Sequence, residues 1–303
     1  MDKKVIIVAG PTASGKSALG LEIAAQTNGV IVNCDSMQIY RELPILTAQP
    51  SAEEQGDIAH RLYGVLKGAE ACSVGRWRDL AVVEIEQILS QGKQPIVLGG
   101  TGLYVKALME GLSKIPDVSR QFRLEATELY DQIGPDGLVK RIADTCTQTA
   151  DQLKTNDRQR IIRAWEVFLA TGKSLSTWQR EHPPFASEGY SFQTVLVSPS
   201  RDELYERCDK RFLSMIDQGA MEEVSALLAL DLDPDLPVMR AIGVPEIKAY
   251  LDGMLSKEEM IASAQQATRR YAKRQLTWLR NQIDCEIKLQ SPDEIESFIA
   301  KIR

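Results

Sequence analysis

The chain has 303 residues, 44% of them apolar and 26% charged, with a formal net charge of −6. Those values describe an ordinary soluble globular protein with room for one large domain or two modest ones, and no low-complexity segment is apparent. No apolar run is long enough to cross a bilayer, and the short N-terminal run lacks the cleavage site of a secretory signal. Five scattered cysteines (Cys34, Cys72, Cys146, Cys208 and Cys285) and two histidines support neither a disulfide framework nor a zinc site. The expectation is a cytoplasmic protein with free thiols, no membrane attachment, no metal-like neighbour at His60 or His182, and a structural role for His60.

In chain order, residues 5–10 (VIIVAG), 29–35 (GVIVNCD) and 94–100 (QPIVLGG) are β-branched runs of the kind that form buried parallel strands. Helical patterns lie between them, at SALGLEIAAQT and at RDLAVVEIEQILSQG, the latter stopping at Gly92. From about 116 to 190 the strand pattern vanishes. FRLEATELYDQI, DGLVKRIADTC and DRQRIIRAWEVFLATG read there as amphipathic helices, punctuated by Pro116 and HPPFASEGY. A strand returns at 192–198 (FQTVLVS), and CEIKLQ at 285–290 offers another. Between them, residues 256–280 read as one long helix capped by Ser256 with Glu259 three residues on. The alternation predicts an α/β fold: a discontinuous core of residues 1–115 and 191–303 around a parallel sheet, with a helical insertion at 116–190.

The first strand runs into GPTASGKS, where Gly10, Gly15, Lys16 and Ser17 match G-x-x-x-x-G-K-[ST]. With Pro11, Thr12, Ala13 and Ser14 they form a loop whose backbone N–H groups and helix N-terminus suit a phosphate anion. Lys16 suits terminal phosphate oxygens, and Ser17 suits Mg²⁺. The second strand ends in Asp35, whose carboxylate can ligate a metal, act as a base or simply cap a turn. The third ends in LGGTGLY, where Thr101 offers a hydroxyl among Gly99, Gly100 and Gly102 at the carboxyl edge of the sheet. Two basic stretches break an otherwise acidic chain: KTNDRQRIIR (154–163), and ATRRYAKRQLTWLR (267–280) with five positive charges and no acid. A polyanion can bind such patches at a defined place.

GPTASGKS, NCDSMQIYRELPI-LTAQP, VLGGTGLY, NDRQRIIRAWEVFLATGKSLS, MRAIGVPE and AKRQLTWLRNQ, in this order, resemble the bacterial tRNA dimethylallyltransferases, also called tRNA isopentenyltransferases. The similarity runs from Val5 to about Trp278. It implies a P-loop NTPase-like core and transfer of a dimethylallyl group from dimethylallyl diphosphate to the exocyclic amine of the adenosine 3′ of the anticodon. Diphosphate then leaves from the loop at Gly10–Ser17, with Mg²⁺ as cofactor. The resemblance makes Asp35 the base, places Thr101 beside the diphosphate or adenosine, and brings Arg211 to the diphosphate, with Arg207 as the alternative.

It further implies that tRNA is contacted by Asp35, Ser36, Met37 and Gln38, by Thr101 and Arg123, by Gln159, Arg160, Ile161, Ile162 and Arg163, and by Arg240, Ala241, Ile242, Gly243, Val244 and Pro245. The last segment is Lys273, Arg274, Gln275, Leu276, Thr277, Trp278, Leu279 and Arg280, where an aromatic at helical spacing more often packs inside than stacks on a base. The expected partners are the tRNA anticodon stem-loop and dimethylallyl diphosphate, and the expected state is a monomer. Four residues depart from the family pattern. Leu46 stands for a glycine, Gln49 for a lysine, and Val244 and Pro245 stand where an aromatic and a basic residue are common. The competing readings are an ATP-dependent small-molecule kinase, an isopentenyltransferase of free adenine nucleotides, and an RNA-binding module with no need of Lys16 and Ser17.

Overall fold

Alternation along the first strand sends Val5, Ile7 and Ala9 to one face of the sheet and Ile6 and Val8 to the other, and both faces are buried. A computed structural model, describing residues 3–186 and 189–302, shows what covers them. The strands are β1 (Lys3–Ala9), β2 (Gly29–Asn33), β3 (His60–Arg61), β4 (Gln94–Gly99), β5 (Tyr190–Val197) and β6 (Ile287–Leu289). They form one sheet in the order β3-β2-β4-β1-β5-β6, with every pairing parallel. Register is fixed by Ile6 opposite Ile96 between β1 and β4, and by Ile6 opposite Gln193 between β1 and β5. The helix Lys16–Thr27 covers the face of Ile6 and Val8 with Leu19 and Ile23. Helix Val74–Ser90 covers the other face with Trp77, Ala81, Ile85 and Ile88, spaced four, four and three apart on one helical stripe.

The edge strand β3 was not expected from the sequence, because two residues carry no periodicity. His60 there is structural: its Nδ1 lies 2.8 Å from the Ile58 carbonyl and its ring meets Tyr63 edge-on. The long helix is Lys257–Gln282, opened by a reciprocal capping box of Ser256 and Glu259. Among the described residues no helix is long and apolar enough to cross a membrane.

Two compact units result, Met1–Met109 with Ser187–Arg303 and Glu110–Ala186. The sequence placed the joints at 115/116 and 190/191. In the helical unit Leu112 pairs with Phe185 in an antiparallel bridge, and Gly111 lies so close to Phe185 that a Cβ would sit 1.9 Å from its carbonyl oxygen. Both ends of the unit therefore belong to it. Its long helical span, Arg120–Thr145, is broken at Gly134, whose φ of 74° no helix adopts, with Pro135 next. Helix Arg158–Thr171 packs against that span through Ile161, Ile162, Ala164 and Trp165, which meet Ala126, Leu138 and Ile142.

Candidate anion cradle and adjoining cavity

Strands β1, β2 and β4 are neighbours, so the loops leaving their carboxyl ends are neighbours too. Gly10 donates its N–H to Gly99, Cys34 to Leu98, and Thr101 to the Cys34 carbonyl. The three loops thus share one hydrogen-bonded rim. The residues Ala13–Ser17 curl into a cradle of about 280 Å³, completed by Arg207 and Arg211. Gly15 has a φ of 90° at the start of the helix, a conformation that a side chain strains and glycine does not. The helix N-terminus and the guanidiniums give the cradle positive potential.

Lys16 keeps partial exposure, but its ammonium head is drawn in beside the Pro11 carbonyl at 3.3 Å. Burial lowers its pKa to about 8; the Asp35 carboxylate opposes this shift and Arg211 adds to it. Arg207 and Arg211 lie one turn apart on helix Arg201–Asp217. Arg207 donates to the Ser14 carbonyl at 3.3 Å and Arg211 to the Thr12 hydroxyl. The sequence left Arg207 as the alternative, whereas the structure brings both arginines to the loop.

Arg211 also lines a second cavity, of about 290 Å³, with Thr12, Asp35, Ser36, Tyr271 and Arg274 on its polar side and Leu46, Phe212, Met215 and Ile242 on its apolar side. Asp35 is set by its neighbours. Buried Asn33 accepts the Asp35 N–H at 2.8 Å and donates to the Asp35 and Leu62 carbonyls at 3.0 Å. One carboxylate oxygen, Oδ1, accepts the Met37 N–H at 2.9 Å. Both readings of Asp35 therefore meet in one side chain: Oδ1 caps a turn, and Oδ2 takes no part in that cap. Thr101 is tied to the same turn by accepting the Ser36 N–H at 3.0 Å.

The tRNA-contact segments implied by the sequence separate by face. In the long helix Lys273, Arg274, Thr277 and Arg280 are exposed, but Leu279 is buried and Leu276 and Trp278 are half-buried. Trp278 packs where a Cβ on Gly102 would lie 2.0 Å from its ring, so the tight fit at Gly102 receives an indole rather than a ligand. Gln275 is no surface residue. Its Oε1 accepts the Thr12 N–H and its Nε2 donates to the Gly100 carbonyl, both at 2.9 Å, clasping two loops together. Arg269 pairs with Asp209 at 2.5 Å, so one of the five positive charges of 267–280 is already partnered.

In 240–245, Ala241 and Val244 are buried, Gly243 is enclosed under Leu46, Pro245 is exposed, and Arg240 and Ile242 line the cavity. Gln38 turns inward to the Thr47 and Ala48 carbonyls, and Met37 packs against the core. In the helical unit, Ile161 and Ile162 are core residues, while Gln159 and Arg160 are exposed and Arg123 and Arg163 reach the surface. The side chains of Ile161, Ile162, Ala241, Val244, Gln275 and Leu279 are thus buried in the packing rather than presented at the surface. At the departures, Leu46 fills the space above Gly243, and Gln49 donates to the Tyr40 carbonyl at 2.6 Å.

Tyr271 was missed by the sequence reading. It faces the cavity beside Asp35, and burial together with that carboxylate pushes its pKa up, so its hydroxyl stays protonated. The clasp at Gln275 has a direct test. Gln275→Met leaves a buried N–H and a carbonyl unpaired and should lower stability by about 2 kcal/mol while weakening anion binding at the loop. Urea unfolding and a diphosphate titration check this; an unchanged midpoint would remove the clasp.

Fold and site together define a P-loop α/β protein with an anion cradle beside a carboxylate-lined cavity. A family model described as IPP transferase matches residues 38–282. The tRNA dimethylallyltransferase of Rhodospirillum centenum is 48% identical over 97% of this chain and 94% of its own length. That of Granulibacter bethesdensis is 49% identical over 92% and 88%. Among solved structures, the full-length tRNA isopentenylpyrophosphate transferase of Bacillus halodurans superposes with a TM-score of 0.70 at 32% identity, covering 100% of this chain and 96% of that one. A eukaryotic dimethylallyltransferase acting on tRNA superposes with a TM-score of 0.77 at 28% identity, covering 91% and 69%. This chain belongs to the IPP transferase family, alongside the tRNA dimethylallyltransferases.

Proposed function

We propose that this protein transfers the dimethylallyl group of dimethylallyl diphosphate to the exocyclic amine of the adenosine 3′ of the anticodon in tRNA, releasing diphosphate. The observation that carries the reading is Arg211, which lines both the anion cradle and the cavity that holds Asp35. A diphosphate in the cradle places its esterified carbon toward the cavity. As the C–O bond breaks, charge grows on the departing oxygens, where loop N–H groups, Lys16, Arg207 and Arg211 stabilise it. The amine nitrogen forms the new C–N bond, and Asp35 Oδ2 takes the proton that nitrogen loses. Leu46, Phe212, Met215 and Ile242 give the allyl group an apolar wall.

Ser17, exposed beside Lys16 on the rim of the cradle, would hold Mg²⁺ together with diphosphate oxygens, a hard-oxygen donor set that suits this ion. When bound, the ion neutralises charge on the leaving diphosphate. Exposed Lys273, Arg274 and Arg280 in the core unit, and exposed Arg123, Gln159 and Arg160 with half-buried Arg163 in the helical unit, support RNA as the acceptor. An adenosine inside a stacked loop must be turned out to reach a cavity of this size. A tRNA substrate points to the cytoplasm.

The test mixes protein, Mg²⁺, dimethylallyl diphosphate labelled in the allyl group, and unmodified tRNA. Label recovered in tRNA is the expected result. ATP turnover on a small acceptor with no label in tRNA would replace this reading with a kinase.

A further inference from the structure

Glu166 lies in the core of the helical unit, 2% exposed, on the same helix as Arg163. A carboxylate there must be paired, since an isolated buried charge is costly. Its two oxygens are divided between two arginines from different helices. Oε1 takes Arg163 at 2.7 Å, and Oε2 takes Arg123 at 3.4 Å. Both arginine side chains remain about two-fifths exposed or more, at 39% and 47%. Each guanidinium carries five N–H donors and gives one nitrogen to the carboxylate, so each keeps donors that the carboxylate does not use. Gln159, one turn before Arg163, and Arg160 stand exposed on the same helix.

We propose that Glu166 is a positioning residue that holds Arg123 and Arg163 as a preset pair for one stretch of RNA phosphate backbone. The proposal rests on the tRNA reading and deepens it. Two long, free arginines lose much side-chain entropy when they clamp a phosphate. Arginines already tethered at a buried carboxylate have met that loss on folding, so more of the contact energy appears as affinity. The net charge of the trio is +1, enough to favour a phosphate while avoiding the repulsion of two adjacent bare cations.

The sign of one measurement separates this from simple electrostatics. Removing a negative charge near an RNA interface should tighten binding if charge alone matters. Loss of positioning should weaken it. Glu166→Gln keeps shape and an acceptor but loses the charge that holds both forks. We expect its Kd for an unmodified anticodon stem-loop RNA to rise about fivefold, a loss of the size of one net hydrogen bond. In steady state the change should fall on KM for RNA rather than on kcat. In an Arg123→Ala/Arg163→Ala background, Glu166→Gln should change nothing further.

Equal or tighter binding by Glu166→Gln, or the same effect in both backgrounds, would overturn the proposal while the tRNA reading stands. A wild-type protein that binds no RNA would overturn both. Should Glu166→Gln fail to fold, Arg163→Lys keeps the charge and gives up the fork. Weaker binding by that variant supports the proposal, and unchanged binding overturns it.

Discussion

Asp35→Asn should lower the rate of transfer by about 10²- to 10⁴-fold while the diphosphate donor still binds. The substitution is chosen for the turn. An amide oxygen at Oδ1 still accepts the Met37 N–H, and the Asn33 bonds reach only the Asp35 backbone, so the loop keeps its shape. What is lost is the basicity of Oδ2, and with it a place for the amine proton. Because the carboxylate also raises the Lys16 pKa, the variant's lysine becomes easier to deprotonate. Donor binding is therefore compared well below pH 8, where the lysine is charged in both proteins. Single-turnover transfer and isothermal titration with diphosphate are the paired measurements. A variant with wild-type rate would remove the carboxylate from the chemistry.

Lys16→Met should weaken donor binding by about 2–3 kcal/mol, which is roughly 30- to 150-fold in Kd, the size of a lost charge-assisted hydrogen bond in a partly desolvated site. Its pH dependence carries a second, independent expectation. In the free protein Lys16 has a pKa of about 8, and a bound diphosphate raises it. The lysine's contribution is then fully present below about 8 and declines as pH rises from there through the pKa of the complex. Donor Kd should be flat on the acid side of that point and climb on the alkaline side. Lys16→Met should be weak throughout and lose the alkaline climb. A wild-type Kd that stays flat to well above pH 8 would show that the lysine keeps its proton through another partner.

The cradle was legible in the sequence because its geometry is local. Eight consecutive residues between a strand and a helix determine where the N–H groups point, and no distant side chain is needed to predict the turn. The central strands were legible for a related reason, since β1, β2 and β4 are buried on both faces and read as unbroken apolar runs. What depends on distant packing was not legible. Gln275 sits in a run of basic residues and reads as one more surface polar group, yet its amide closes two loops from the inside. Ile161 and Ile162 lie within a contact motif but face the core, because a helix cannot show four consecutive residues to one partner. Arg207 and Arg211 are one turn apart, and only the docking of their helix shows that both reach the loop. Tyr271 gave no signal, since one tyrosine in an amphipathic helix is ordinary until its neighbour proves to be a carboxylate.

The helical unit begins and ends at the same spot, where Gly111 is pressed to Phe185 and Leu112 pairs beside it. It is spliced into the chain like a cartridge with both leads at one socket. Whatever lies between those leads can lengthen, shrink or be exchanged without asking β4 or β5 to move. Under the proposed function, evolution can thus retune the RNA-facing surface of this unit while the reacting groups stay where they are, and an engineer could graft a different module at the same splice.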